Sequence, residues 1–189
     1  IRDRMRLSDL QVINTQNLRS SLRLHIERAR LGWYVSSYLK IVKPRPGTEE
    51  PLEVASDLML VEAADRLRDS WIIADEGKPP LFVLEVATEW SWERDTGEKP
   101  RIYEWMGVSE YAIFAPERSD GPALFGYRRD ERGRWVDWQP DDRGVLRSRA
   151  LGGIGLFVED TLWLRARDAQ GNRLPTPMEE AKAAIAREA

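Results

Sequence analysis

The 189-residue chain has no cysteine and a single histidine, His25. The first absence excludes disulfides, thiolate metal sites and cysteine nucleophiles. The second leaves almost no means of building a structural zinc site, and it removes any Ser–His pair that does not use His25 itself. A metal, if bound, must then meet oxygen ligands, which is the chemistry of magnesium or manganese. No apolar run approaches the roughly 18 residues that a membrane span needs, so no membrane partner is expected. The opening IRDRMRLSDL carries charge where a signal peptide has its apolar centre, and a cytoplasmic location is the expectation. Excess positive charge is missing as well: 29 Lys and Arg stand against 32 Asp and Glu, a formal net charge of −3. That balance argues against coating nucleic acid by bulk electrostatics, yet it leaves room for an enzyme that meets it through a local basic surface. Basic side chains do crowd one stretch, namely Arg128, Arg129, Arg132, Arg134, Arg143, Arg147 and Arg149. They read mainly as solvated hairpin residues, with one or two free to touch phosphate.

With 42% hydrophobic residues, a chain of this length can bury one substantial core without staples. Residues 1–174 read as a single domain and 175–189 as a helical tail. Leu18, Leu22, Ile26 and Ala29 recur at three- and four-residue steps. They predict a helix over Asn17–Leu31, capped by Thr15 and ended by Gly32. His25 lies beside that stripe and reads as a partly buried, hydrogen-bonded residue. Trp33–Pro44 predicts a strand, and Ala55–Ala63 a second one. Ala64–Lys78 is polar and ambiguous. Pro80–Thr88 is the strongest strand, its continuous apolar run implying burial on both faces. RDTGEKPRIYEWMGV predicts a helix that stops at Gly107. Pro100 fits only in its first turn, so the helix begins near Lys99. Glu110–Pro116 is another buried strand, followed by short hairpin strands in ALFGYRR, RWVDWQ and VLRSRAL, and one more in FVEDTLWLRARD. Thr176 and Pro177 open a final helix, solvent-facing or oligomer-forming by composition. The order predicts an α/β fold: a mixed β-sheet flanked by helices, an antiparallel hairpin extension and a C-terminal helix.

Two acids break this pattern. Asp57 heads an otherwise apolar strand, and Glu85 interrupts LFVLEVA in what should be the most buried one. A lone buried carboxylate costs several kcal/mol (order of magnitude) or is driven to protonate, so it calls for a cation. On successive core strands the two can meet at one sheet end and offer hard oxygens to a divalent ion. The plainer alternative is that Asp57 caps a turn and Glu85 pairs with one Lys or Arg. Lys99 lies at the start of the helix that returns from the Glu85 strand. There an ammonium can orient an attacking water and offset charge on a phosphoryl group, or else it is an ordinary surface lysine. Asp95, four residues earlier, can tether it or cap the helix.

ASDLMLVEAADR followed by KPPLFVLEVATEWSWERDTGEKPRIYEWMGVSEYAIFAP resembles the Uma-two family of restriction-endonuclease-like bacterial proteins, within the PD-(D/E)XK nuclease superfamily. The resemblance is strong over Ala55–Pro116 and weaker from the first helix to Leu164. It implies a restriction-endonuclease-like core in which Asp57 and Glu85 bind metal with the backbone carbonyl of Val86. Lys99 is the implied catalytic lysine, with Asp95 and Tyr103 supporting it from behind. Ser56 stands where the family usually has Pro, and Gln16 or Asn17 where the first helix often has His. Glu89–Trp90–Ser91–Trp92 replaces a stretch of small residues. Trp90 and Trp92 read either as packing or dimer contacts, or as an aromatic ledge for a base. The expected activity is hydrolysis of a phosphodiester in DNA with Mg2+ or Mn2+ as cofactor, by a homodimer. The alternative is a catalytically inactive nuclease-like module for nucleic-acid binding or assembly.

Overall fold

The computed structural model describes residues 8–120 and 123–188. The first seven residues, read above for a signal peptide, lie outside that range. The chain runs α1 (Asp9–Ala29), β1 (Trp33–Ser37), β2 (Lys40–Lys43), β3 (Leu52–Ala55), β4 (Leu58–Glu62), β5 (Ser70–Ile72) and α2 (Ile73–Glu76). It continues through β6 (Phe82–Val86), a π-helical turn (Arg94–Glu98), α3 (Lys99–Met106), β7 (Glu110–Phe114), β8 (Leu124–Arg129) and β9 (Trp135–Trp138). Then come β10 (Leu146–Arg147), β11 (Gly155–Glu159), β12 (Trp163–Arg167) and α4 (Pro177–Glu188).

The central sheet has the order β1-β4-β6-β7-β8-β9. Its one parallel pair is β6–β7, so the sheet is mixed, as the alternation of elements predicts. Side chains alternate across it. Leu58, Leu60, Leu84 and Phe114 pack against Leu18 and Leu22 of α1 and against Leu156 and Leu164 of the β10-β11-β12 sheet. Met59, Val61, Val83 and Tyr111 face Tyr103 of α3 and Ile41, Val54 and Trp71 of the β3-β2-β5 sheet. With both faces covered, every residue of β6 is buried, which explains its uninterrupted apolar run. Among the described residues no helix is long and apolar enough to cross a membrane.

Several boundaries differ from the periodicity reading. α1 starts at Asp9 rather than Asn17, with Ser8 as the cap: its hydroxyl accepts the Gln11 N–H at 3.1 Å. The first turns bury Gln11, Asn14 and Thr15, polar residues that leave no apolar period to read. The strand expected over Trp33–Pro44 is two strands. They are separated at Tyr38, which takes a left-handed φ of 57°. The segment Ala55–Ala63 likewise divides at Ser56–Asp57. At these two breaks the chain switches from one sheet to the other. The breaks are sewn together by Tyr38 N–H to the Asp57 carbonyl (3.1 Å) and Ser56 N–H to the Leu39 carbonyl (3.3 Å). Ala64–Lys78 supplies β5 and α2. VLRSRAL shortens to the two residues of β10, because its next amides turn to another task described below. FVEDTLWLRARD is the hairpin β11–β12, turning at Asp160 and Thr161 with φ of 49° and 62°. α4 docks on α1 through an Arg28–Glu180 ion pair.

Candidate active site

Three elements converge on one end of the central sheet. β4 and β6 are antiparallel, with Leu58 opposite Leu84. Extending that register by one residue sets Asp57, at the head of β4, against Glu85, near the end of β6. The Asp57 N–H approaches Glu85 Oε2 at 3.4 Å. After β6 the chain crosses over to β7, and the first residue of α3 in that crossover is Lys99. Its Nζ lies 2.9 Å from Glu85 Oε1 and 2.8 Å from Asp95 Oδ1. Tyr103, one turn further on, donates its hydroxyl to Glu85 Oε1 at 2.6 Å. Asp57, Glu85, Asp95, Lys99 and Tyr103 are all buried, with exposures of 0–7%.

The π-helical turn arranges the Asp95–Lys99 pair. Pro100 has no N–H to give to the carbonyl four residues back, and its ring crowds that carbonyl. The turn before it widens, so the Lys99 N–H reaches the Arg94 carbonyl five residues away. Such widenings recur at functional sites because they re-aim side chains without ending the helix. Tyr111 fixes the turn from β7 by donating its hydroxyl to the Asp95 carbonyl at 2.8 Å. The helical run begins earlier than predicted, at Trp92, and passes through the π turn into α3, so Pro100 is accommodated inside it rather than in its first turn.

The electrostatics follow from burial. Asp57 is pushed up from the ordinary carboxylate range by desolvation, against the hydrogen bonds of Gln11 and Val86. Burial pushes the Glu85 carboxyl well above its usual range, more than Lys99 pulls it down, and the charges of Asp57 and Asp95 add to the rise. Burial works against the Lys99 ammonium, but Glu85 and Asp95 outweigh it and raise its pKa. Tyr103 is also driven well above its usual range, first by burial and then by the charge of Glu85, so it stays a donor. Two buried carboxylates, Glu85 and Asp95, share one ammonium here, and a third, Asp57, lies beside them without an ion pair among the described residues. A negative surplus in a low-dielectric pocket favours a further cation.

Do these residues fit a divalent metal? Among the described residues, no three carboxylate or imidazole groups converge on a common point. Magnesium asks for less, taking one or two carboxylates plus water and substrate oxygens. Asp57 and Glu85 supply those two. Val86 adds to them: its N–H donates to Asp57 Oδ2 at 2.7 Å, while the next amide, Ala87, donates to Phe114 on the opposite edge at 2.7 Å. A strand residue presents its N–H and C=O to the same edge, so the Val86 carbonyl is turned toward the Asp57 side. Among the described residues, Glu85 Oε2 has only its long contact to the Asp57 amide. The donor set is hard oxygen, and it fits.

The candidate residues drawn from the sequence, Asp57, Glu85, Val86, Lys99, Asp95 and Tyr103, lie together. Asp95 tethers Lys99, and Tyr103 steadies Glu85. Others escaped notice. In α1 the residue facing the site is Gln11, not Gln16 or Asn17. Its Nε2 donates to both Asp57 oxygens, at 2.8 and 3.0 Å, whereas Gln16 reaches Ser37 at 3.4 Å. One turn along the same face, Thr15 Oγ1 is buried close to the buried hydroxyl of Tyr38, and among the described residues neither has a hydrogen-bond partner outside this pair. Tyr38 is pushed up mainly by burial and feels the charge of Asp57. Its placement depends on the left-handed break between β1 and β2, which nothing in the local sequence announces. In the loop after β6, Trp92 packs edge-on against Phe125 at 5.9 Å with the Arg118 guanidinium 3.8 Å above it. Trp90 is 80% exposed.

With this geometry in view, the family model of Uma2, described as "Putative restriction endonuclease", matches residues 9–159. The chain belongs to that family. In particular it is similar in structure to a putative nuclease belonging to DUF820 from Anabaena variabilis, with a TM-score of 0.49, 10% identity, and coverage of 73% of this chain and 71% of that one. No curated protein matches the chain.

Proposed function

We propose that the protein is a metal-dependent endonuclease that hydrolyses phosphodiester bonds in DNA. Asp57, Glu85 and the carbonyl of Val86 would hold Mg2+ or Mn2+, with Lys99 beside them. The observation that carries this reading is the burial of Asp57, Glu85 and Lys99 at adjoining element ends, with Lys99 Nζ 2.9 Å and the Asp57 amide 3.4 Å from the Glu85 carboxylate. When bound, a divalent cation supplies charge neutralisation at phosphate and acidifies water. The chain's own groups do the rest. Lys99 stays an ammonium at neutral pH, because its carboxylate partners raise its pKa. It therefore acts as a fixed positive charge and donor toward the attacking or leaving oxygen, not as a base. Gln11 and the Val86 amide hold the Asp57 carboxylate in one orientation, and Tyr103 does the same for Glu85. Such pre-set donors and acceptors need no reorganisation as charge develops.

One observation favours the second reading, a nuclease-like module without activity: both Asp57 oxygens already accept hydrogen bonds within the fold. The two readings separate in a pair of measurements. Plasmid, single-stranded DNA and RNA are incubated with Mg2+, Mn2+ or EDTA, and Mn2+ binding is followed by calorimetry. The nuclease reading expects metal-dependent cleavage that Asp57→Ala abolishes, and Mn2+ binding that Glu85→Gln abolishes. No cleavage above the Asp57→Ala control, with no Glu85-dependent heat, overturns it.

A further inference from the structure

A second feature lies on the same end of the sheet. A cavity of about 600 Å³ opens beside the start of β8, with Leu124 and Phe157 in its wall and Arg143, Arg147 and Arg167 around it. Among the described residues no carboxylate lines it. Several arginines elsewhere are spoken for. Arg129 donates to the carbonyls of Val108, Gly133 and Glu104, Arg134 pairs with Asp130, and Arg165 and Arg173 share Glu159. Here, among the described residues, Arg143 and Arg167 form no ion pair. Arg147 has only a 3.7 Å contact with Asp141, both side chains being over 40% exposed, a pairing of little worth. Arg167 lies over the Phe157 ring at 4.4 Å, and its Nε is buried with no hydrogen-bond partner among the described residues. In a chain of net charge −3, a concave site with three guanidinium groups and no acid is built for an anion. The planar fork of arginine matches phosphate.

Position identifies the anion. Leu124 pairs with Phe114 and Phe114 with Val86. The cavity therefore opens at the same sheet end as Glu85, two strands over and on the α1 face, whereas the Glu85 side chain points to the α3 face.

We propose that the Arg143–Arg147–Arg167 cavity is a backbone-phosphate site for the nucleic acid whose scissile group lies at Asp57 and Glu85. This deepens the nuclease reading and rests on it. The site is independent of base sequence, as phosphate contacts are. It sets how far the bound strand extends past the cut.

The test measures anisotropy of a fluorescein-labelled 20-base-pair duplex with EDTA present, over a range of salt. Compared are the wild type, Arg143→Ala/Arg147→Ala, and a charge-matched control, Arg132→Ala/Arg134→Ala, in the β8–β9 turn at the far end of the sheet. The cavity variant is expected to bind about 10- to 100-fold more weakly, with the slope of log K against log salt reduced by about 2. The control should keep the wild-type slope. Inorganic phosphate at matched ionic strength should not displace the duplex at micromolar levels. Displacement there would mark a free-phosphate pocket and overturn the proposal. Equal slopes for the two double variants overturn it while leaving metal-dependent cleavage, and so the nuclease reading, intact. Arginine-dependent binding without any cleavage would leave a phosphate site but no cut, overturning the nuclease reading and the placement of the scissile group with it.

Discussion

Glu85 and Glu110 lie on the neighbouring parallel strands β6 and β7, each only 2% exposed, but at opposite ends of the pair. Phe82 is opposite Glu110, and Glu85 is opposite Ile113. Their surroundings differ in kind. Glu110 is met by neutral dipoles: the Ser148 hydroxyl and the amides of Arg149 (2.8 Å) and Ala150 (3.2 Å). These turn the chain after β10 and cut that strand short. Glu85 is met by an ammonium, a phenol and the fields of two further carboxylates. Burial alone therefore says little about a carboxylate. One held by backbone amides serves the fold. One balanced among charges of both signs carries a poised electrostatic imbalance, which is what chemistry uses.

The largest expected effect breaks the pair apart by activity. Glu85→Gln should lower cleavage by at least about 100-fold, the scale of losing one electrostatic group at a reacting centre. It should leave the melting temperature within a few degrees, because it removes a charge that burial disfavours. Glu110→Gln should do the reverse. Its Oε1 would keep the two backbone N–H groups, but its N–H₂ would face the Ser148 hydroxyl, which must turn from donor to acceptor and loses a charge-assisted bond, costing about 1–3 kcal/mol, or roughly 3–10 °C in a domain of this size. Cleavage per folded molecule should be unchanged. Calorimetric melting alongside a plasmid-nicking assay decides it. If Glu110→Gln loses activity as fully as Glu85→Gln at a temperature where both are folded, the contrast is wrong.

This difference between the acids was half legible beforehand. Glu85 stands out because a charged residue interrupts an aliphatic run, and Asp57 because it heads one. Lys99 stands out by its place next to Pro100, although the helix runs through both by way of the π turn. Glu110 gives no such signal, since an acid just before an apolar strand is commonplace on surfaces. Gln11, Thr15 and Tyr38 are hidden for another reason. Buried polar residues erase the apolar stripe by which a helix is found. A left-handed tyrosine between two strands looks, in sequence, like one longer strand. The sheet and its long crossover helix come from local periodicity. The sheet switch that carries Asp57 to Glu85 depends on long-range hydrogen bonds, which no local pattern encodes.

A smaller effect sharpens the comparison through pH. Glu85 is raised in the folded state above the ordinary value of about 4.3, so on raising pH the unfolded chain releases this proton first. Stability from the protonated form is complete below about 4.3 and is lost as pH climbs through the folded-state value. Without divalent cations, the wild-type melting temperature should therefore drop more between pH 5 and pH 8 than that of Glu85→Gln, by a few degrees. Equal slopes would mean that Lys99 neutralises Glu85 completely, leaving no surplus for a metal to balance.

The smallest expected effect has the opposite sign and lies outside the sheet. At the start of α4, Arg173 donates to Glu179 at 2.8 Å, and the Thr176 amide does so at 2.8 Å. Together they pull the Glu179 carboxyl down to about 2, with the Arg173 hydrogen bond the largest cause. A lowered carboxylate stabilises above its unfolded value of about 4.3 and loses that contribution as pH falls toward 2. The side chain is 37% exposed, so solvent screening holds the gain to under about 1 kcal/mol. Carbon-detected NMR titration should give Glu179 a midpoint near 2, and Arg173→Ala should return it toward the ordinary range. A wild-type midpoint above 4 would show that Arg173 is too mobile to hold α4, leaving Arg28–Glu180 as its anchor on α1.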